Sequence, residues 1–425
     1  MRRILFLSES FHPVLGGGET HIRRLGAALV AAGDAVTVVT RRGEGAWPAA
    51  EQLEDGIRVV RVPPSGPGRR GKYLMLPAAA LAVAREAARH DVLVVRGTRV
   101  LGLPGLLTAR LSGLATVLQP EINGELDGTA FTWGQRWAGG TAGRLVRAAL
   151  VTARNPLLRD ADRFVAMSQL IRQEMLAAGV DPARVALIPH GVDTARFRPV
   201  AGGERSALRA QLGIPPGVVA AYTGRLLRGK GLELLVEAFS AIAAERPDLL
   251  LLLVGSGEGQ SLSVEAELRR RVAELGLGDR VFFAGRSDRV EDWLRASDLF
   301  VFPSLYEALG ISLVEAAACG LPAIGSRTGG IVDVIEDGRS GLLVPAGDGL
   351  ALAQALRTLA SDGERRLELG VHARSLALAR FDERDALARY RALFAEISPR
   401  RPSASPRAGA ARADAGPPPA TAARA

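Results

Sequence analysis

Residues Asp298–Arg327 read DLFVFPSLYEALGISLVEAAACGLPAIGSR. Leu299 to Phe302 is a short apolar run that meets Pro303 and Ser304, as a buried strand does on entering a loop. A helix of about ten residues is expected next, with Leu313, Val314 and Ala316 to Ala318 as its interior and Gly320 and Pro322 as its stop. Pro322 to Ser326 begins a second strand. Strand, loop, helix and strand in this order form a unit of a parallel sheet, and such sheets bind ligands beyond the carboxyl ends of their strands. Two carboxylates mark the unit. Glu307 falls in the loop, where a helix-capping charge would also account for it. Glu315 interrupts a small, apolar helix face, and burying a carboxylate there without a partner is costly.

The alternation extends in both directions. Strand-like runs recur at 2–8, 35–40, 57–62, 91–95, 116–118, 163–167 and 185–188, then at 218–223, 249–255, 281–285 and 341–345. Helical patterns lie between most of them, notably Thr20 to Ala32, Pro77 to Arg89 and Leu101 to Leu111. The pattern predicts an α/β chain with parallel sheets covered on both faces. Residues 1–197 are expected to form one domain and 217–379 a second, joined by a Pro- and Gly-rich linker at 198–216.

Two glycine-bearing turns open helices. Phe11 to Glu19, FHPVLGGGE, is an anion-binding arrangement or a bare turn; it lacks the G-x-G-x-x-G spacing of a dinucleotide loop. After the strand Val218 to Thr223 comes GRLLRGKG, in which Arg225 and Lys230 flank a turn at a helix start. Two cations and free amides suit a pyrophosphate, arginine as a fork and lysine as a point charge. Leu249 to Gly255 leads into GSGEG, a weak signal alone.

Taken together, E-x7-E at Glu307 and Glu315 and G-R-x4-K at Gly224, Arg225 and Lys230 resemble the donor site of the retaining, GT-B fold glycosyltransferases of family 4, or group 1. The resemblance covers residues 2–397 and is strongest from 222 to 345. It implies two Rossmann-like domains with an interdomain cleft that binds a nucleotide-diphospho-sugar, and a final helix, 380–397, that packs back on the first domain. It implies that Glu315 holds the ribose and that Glu307 sits by the transferred sugar. Ala308, Leu309, Gly310 and Ile311 would form an amide cradle, Gly17 and Gly18 would face the diphosphate, and Arg286 would lie near the base. Same-face substitution assisted by the leaving phosphate is implied, with no metal and no other cofactor; Arg225 and Lys230 would meet the leaving charge. The sequence departs from the family in Glu-Ala-Leu-Gly for Glu-Gly-Phe-Gly, in His190 for asparagine in PHGVD, and in Arg96 and Gln119, where histidines often stand.

Composition narrows the alternatives. Hydrophobic residues make up 48% and charged residues 23%, a globular profile with ample core. No apolar run is long enough to span a membrane, and Ile4 to Leu7 is too short for a signal peptide. The single Cys319 excludes an internal disulfide, fits a cytoplasmic setting, and reads as a buried, inert thiol. The net charge is +9. Of the 54 basic residues 52 are arginine, and five of those lie from Ser398 onward, in a Pro/Ala/Arg-rich tail (398–425) expected to be disordered. No basic stripe with interleaved aromatics appears, so nucleic acid is not a partner. Residues 121–155 carry Trp133, Arg136, Trp137, Arg144, Arg147 and Arg154. They read either as a core helix with a solvated arginine face or as peripheral contact with the inner face of a membrane. Glu121, Glu125 and Asp127 open this stretch and are candidates for acceptor hydroxyls.

The resemblance implies transfer of a hexose to a sugar or lipid-linked glycan acceptor in bacterial envelope or exopolysaccharide synthesis. A glycoside hydrolase would not need the Arg225/Lys230 element. A nucleotide-sugar epimerase of the same fold and a non-catalytic sugar-nucleotide-binding protein remain as alternatives.

Overall fold

The computed structural model describes residues 1–131 and 141–397, apart from 15, 44, 46, 67–69, 202 and 261. Trp133, Arg136, Trp137 and the tail from Ser398 lie outside the described residues. Two sheets organise the rest. The first contains β1 (Arg3–Leu7), β2 (Ala35–Gly43), β3 (Ala50–Gln52), β4 (Arg58–Ser65), β5 (Val92–Arg96), β6 (Ala115–Gln119), β7 (Arg163–Ala166) and β8 (Val185–Leu187). Its order is β3-β4-β2-β1-β5-β6-β7-β8. The second contains β9 (Val218–Thr223), β10 (Leu249–Val254), β11 (Val281–Gly285), β12 (Leu299–Phe302), β13 (Ala323–Ser326) and β14 (Gly341–Val344), ordered β11-β10-β9-β12-β13-β14. Both are Rossmann-like. Strand order reverses beside the first strand of each, at β1/β5 and at β9/β12, and the crevice beyond those strand ends is where ligands bind.

Helices on both faces explain why the central strands are buried along their length. Every residue of LLLLLV in β10 is buried, as is every residue of β5. The one antiparallel strand among the described residues is β3, paired to Arg58–Val60 of β4. Its three residues, Ala-Glu-Gln, carry no strand periodicity. The partner edge makes the strand, so it was not legible beforehand.

The helix Gly17–Ala31 starts three residues earlier than its apolar periodicity suggests, with Gly16 extended before it. Glycine is a poor helix interior residue but is tolerated in a first turn that tertiary contacts define. The open amides of that turn therefore belong to Gly17 and Gly18 themselves.

Residues 198–216 do not bridge the domains. The helix Glu204–Leu212 lies on the second one: Leu208 and Ile214 are buried, and Arg209 donates to the Asp298 carboxylate at 2.6 Å and to the Ala296 carbonyl at 2.8 Å. The chain crosses near Val192 and returns near Phe381. There the Val192 amide donates to the Phe381 carbonyl at 2.8 Å and the Glu383 amide to the Val192 carbonyl at 3.0 Å. The last helix, Glu383–Glu396, then buries Tyr390, Leu393 and Phe394 with Ile22, Leu25 and Leu29 of the first domain.

Candidate active site

The two switch points face each other across a cleft of about 940 Å³. Its second-domain wall begins after β9. Gly224, Gly229 and Gly231 hold positive φ of 143°, 91° and 70°, a path that side chains rarely follow. This turn brings Arg225 and Lys230 to the cleft. Lys230 Nζ lies 2.6 Å from Glu307 Oε2 and 5.8 Å from the centre of the Phe302 ring. The Tyr222 hydroxyl donates to the Arg225 carbonyl at 3.1 Å, whereas among the described residues the exposed Arg225 guanidinium has no carboxylate partner.

Glu307 sits on the loop between β12 and the helix Ile311–Ala318. Gly310, at φ +90°, enters that helix, whose first-turn amides are left open by helix geometry. Ala308, Leu309, Gly310 and Ile311 all line the cleft, although the Leu309 side chain itself is buried in the core. The Glu307 carbonyl accepts from the Gly330 amide at 3.1 Å and from Asn123 Nδ2 of the other domain at 2.9 Å. Gly329, at φ +54°, passes so close that a Cβ would overlap the same carbonyl oxygen. Gly329→Ala is accordingly expected to push the Glu307 loop out of place, lowering the melting temperature by roughly 5 °C. Differential scanning calorimetry reads this, and an unchanged transition would show that the loop position does not depend on the approach.

Glu315 lies one helical stretch further on, its side chain 12% exposed. Burial pushes its carboxyl up to about 6, against the pull of Arg24 and Arg196. Arg24 reaches across from the helix Gly17–Ala31 and places Nη1 3.5 Å from Glu315 Oε1. Arg24 and Arg196 sit over the Phe197 ring, at 5.9 and 5.6 Å from its centre. Neither arginine was singled out in the sequence. Arg24 is one of many arginines on an amphipathic helix, and only the domain packing aims it at Glu315. Arg286 is exposed and lines the cleft beside Ser287.

On the first-domain wall, Gly17 approaches Ile311: a Cβ at Gly17 would stand 3.3 Å from Ile311 Cδ1. Gly18 lies next to Arg96, whose Nη1 donates to the Gly18 carbonyl at 2.8 Å. Arg96 also reaches Glu121, with Nη2 3.3 Å from Oε1. Gln119, the other unusual position, points away and donates to the Tyr390 hydroxyl at 3.1 Å. Of the three candidate acceptor carboxylates, only Glu121 lines the cleft. Glu125 accepts from the Glu121 and Ile122 amides and from Thr98, and Asp127 accepts from the Thr129 amide. His190 also lines the cleft, stacked on His21 with ring centres 3.7 Å apart. Burial, then Arg96, holds it well below the usual histidine range, so it is neutral. Burial raises the Cys319 thiol, consistent with an inert core residue. Arg154 turns inward and donates to the Glu125 carbonyl at 2.6 Å, so it does not belong to a solvated face. No helix among the described residues is long and apolar enough to cross a membrane.

Two family models match the chain. "Glycosyltransferase Family 4" matches residues 15–196 and "Glycosyl transferases group 1" residues 204–376. A D-inositol 3-phosphate glycosyltransferase of Kineococcus radiotolerans is 32% identical over 403 residues, covering 88% of this chain and 90% of that protein. Its counterpart from Catenulispora acidiphila, D-inositol 3-phosphate glycosyltransferase 2, is 31% identical over 394 residues with the same coverage of 88% and 90%. Among solved structures, sucrose-phosphate synthase from Thermosynechococcus elongatus superposes with a TM-score of 0.78 at 29% identity, over 93% of this chain and 100% of that one.

Proposed function

The chain belongs to the group 1, family 4 glycosyltransferases of GT-B fold, and from that premise we propose that it moves a hexose from a nucleotide-diphospho-sugar to an acceptor hydroxyl with retention of configuration. The observation that carries this reading is the Lys230–Glu307 pair at 2.6 Å, opposite the amide-bearing first turn at Gly17 and Gly18 and on the same wall as Glu315. Glu315 takes the ribose hydroxyls, and Arg286 lies at the base end. Lys230, Arg225 and the two helix N-termini stabilise the diphosphate as its charge develops, which is transition-state stabilisation by fixed charges. Glu307 borders the transferred sugar and holds Lys230 in place. With two side-chain cations at the diphosphate, the reaction is metal-independent.

The acceptor we propose is a sugar or lipid-linked glycan in envelope or exopolysaccharide synthesis, met in the cytoplasm at the inner membrane face. Exposed Leu107 and Leu111 on one helix and Leu150 and Leu157 on its neighbour, Thr141–Leu158, support this placement. A phosphorylated polyol is the second reading, favoured by the names of the relatives at 31 and 32% identity.

Thermal unfolding with UDP, GDP and ADP and their sugar conjugates, in EDTA, tests the donor reading. One nucleotide series at about 100 times its Kd is expected to stabilise the fold by about 2.7 kcal/mol. No shift with any of them overturns it; a shift without sugar transfer or diphosphate release points to the epimerase or binding-protein alternative.

A further inference from the structure

Two contacts from the first domain converge on one region of the second. In the loop after β6, Asn123 donates from Nδ2 to the Glu307 carbonyl at 2.9 Å. The Gln169 amide, at the start of the helix Gln169–Ala177, donates to Asp333 Oδ2 at 2.6 Å. Asp333 closely follows Gly330, whose amide donates to the same Glu307 carbonyl at 3.1 Å. That carbonyl therefore accepts from both domains at once, with one lone pair for each. Gly329 leaves the room this needs, since a Cβ there would stand 2.8 Å from Asn123 Nδ2.

The first-domain side of the contact is stiff. The Gly124 amide donates to both oxygens of Glu174 at 2.8 and 2.9 Å, and Glu174 belongs to the helix whose first amide meets Asp333. Glu125 takes the Glu121 and Ile122 amides at 3.1 and 3.3 Å. Asn123 is thus fixed by the bonds of its neighbours on either side. Its own Oδ1 is buried and makes no hydrogen bond among the described residues. An acceptor buried in that way costs stability, so folding alone does not explain an asparagine here. What its side chain does is hold the main chain of Glu307.

Glu307 is in this way gripped at both ends, its carbonyl by Asn123 and Gly330 and its carboxylate by Lys230 Nζ at 2.6 Å. We propose that Asn123 is a positioning residue for the transfer: it seats Glu307, and through it the Lys230 ammonium, when the two domains close on the donor. The inference rests on the glycosyltransferase reading and goes beyond it. Asn123 and Glu307 are 184 residues apart on different domains, so their bond exists only with the domains in this arrangement. The loop that carries Asn123 also carries Glu121, which lines the cleft. A shift of that loop is thereby passed to the carboxylate beside the diphosphate site. A misplacement of about 1 Å can cost about 100-fold in rate while the donor stays bound.

Release of nucleotide diphosphate from the sugar nucleotide that most stabilises the fold, with water as the acceptor, tests this. Asn123→Ala is expected to lower kcat about 10-fold, the equivalent of one hydrogen bond. The diphosphate Kd, read by calorimetry, and the melting temperature should stay as in wild type. Asn123→Asp keeps the shape but sets an anionic oxygen against the carbonyl, and should lose at least as much. Because Asn123 works through the Glu307 side chain, adding Asn123→Ala to Glu307→Ala should lower kcat no further. Release within about threefold of wild type by both single variants overturns the proposal and leaves the glycosyltransferase reading standing. Losses that multiply in the double variant overturn it too, because Asn123 would then act apart from Glu307. A fall in kcat matched by weaker diphosphate binding or a lower melting temperature does the same, since the residue would then be structural. A wild type that binds no nucleotide diphosphate, or never releases it from a sugar donor, overturns the glycosyltransferase reading and the positioning role together.

Discussion

Lys230→Ala is expected to lower kcat about 1000-fold while raising the diphosphate Kd only about 10-fold, since a charge aimed at the developing oxyanion acts more on the transition state than on the ground state. The geometry behind this is specific. Lys230 follows Gly229 and precedes Gly231, both at positive φ, so its backbone path is set by glycines and not by its own side chain. Its ammonium is held by Glu307 and by the Phe302 face, and only 24% of the side chain remains exposed, toward the cleft. Partial desolvation strengthens its attraction for a phosphate oxygen. The same contact makes the two residues energetically coupled. Glu307→Ala should also impair turnover more than binding, and the double variant should lose far less than the product of the single losses. Steady-state kinetics with calorimetric Kd values checks each part. A Lys230→Ala enzyme within about threefold of wild type in kcat would remove the cation from the chemistry, because a lost oxyanion contact costs about 100-fold or more.

Glu315→Ala should do the opposite. Two ribose hydroxyls donating to one carboxylate are charge-assisted bonds, together worth about 3 kcal/mol, so the nucleotide Kd is expected to rise about 100-fold. The change in kcat at saturating donor should be small. The pH dependence has a definite sign. The carboxyl is raised to about 6 by burial, and on the proposed reading it is the ionised form that would accept the ribose hydroxyls. Nucleotide affinity should therefore be full above that pH and fall as pH drops through 6. Arg24 sharpens the test, because it pulls the carboxyl down from the other domain. Arg24→Ala should move the loss of affinity to higher pH. Calorimetric titration from pH 5 to 8 reads all of this. Unchanged diphosphate binding by Glu315→Ala would show that the ribose lies elsewhere.

Much of the fold follows from local pattern. Runs such as LLLLLV and the helices between them specify parallel strands covered on both faces, since only that arrangement hides so many apolar residues on both sides of a strand. The glycines at 224, 229 and 231 and the carboxylate at 315 are likewise legible, because each is anomalous for the element that contains it. Where periodicity is weak, local pattern is not enough. The first helix starts at Gly17 although its periodic signal begins at Thr20, because glycine carries no such signal, and the short helical pattern within 198–216 does not show on which domain it packs, because that depends on Arg209 reaching Asp298, 89 residues away.

The sequence by itself determined the two-sheet architecture and the residue types on the second-domain wall of the cleft, since both depend on spacings of a few residues along one element. Only the tertiary structure decided which charges meet. Arg24 and Glu315 are 291 residues apart, and Lys230 and Glu307 are 77 apart. Arg96 reaches the Gly18 carbonyl over 78 positions. Coulomb attraction and hydrogen bonding act over a few ångströms, so neither can be read from chain distance. The same applies to the first-domain wall, where Glu121, Glu125 and Asp127 look alike in a row. Packing ties two of them to their own loop and leaves Glu121 facing the cleft.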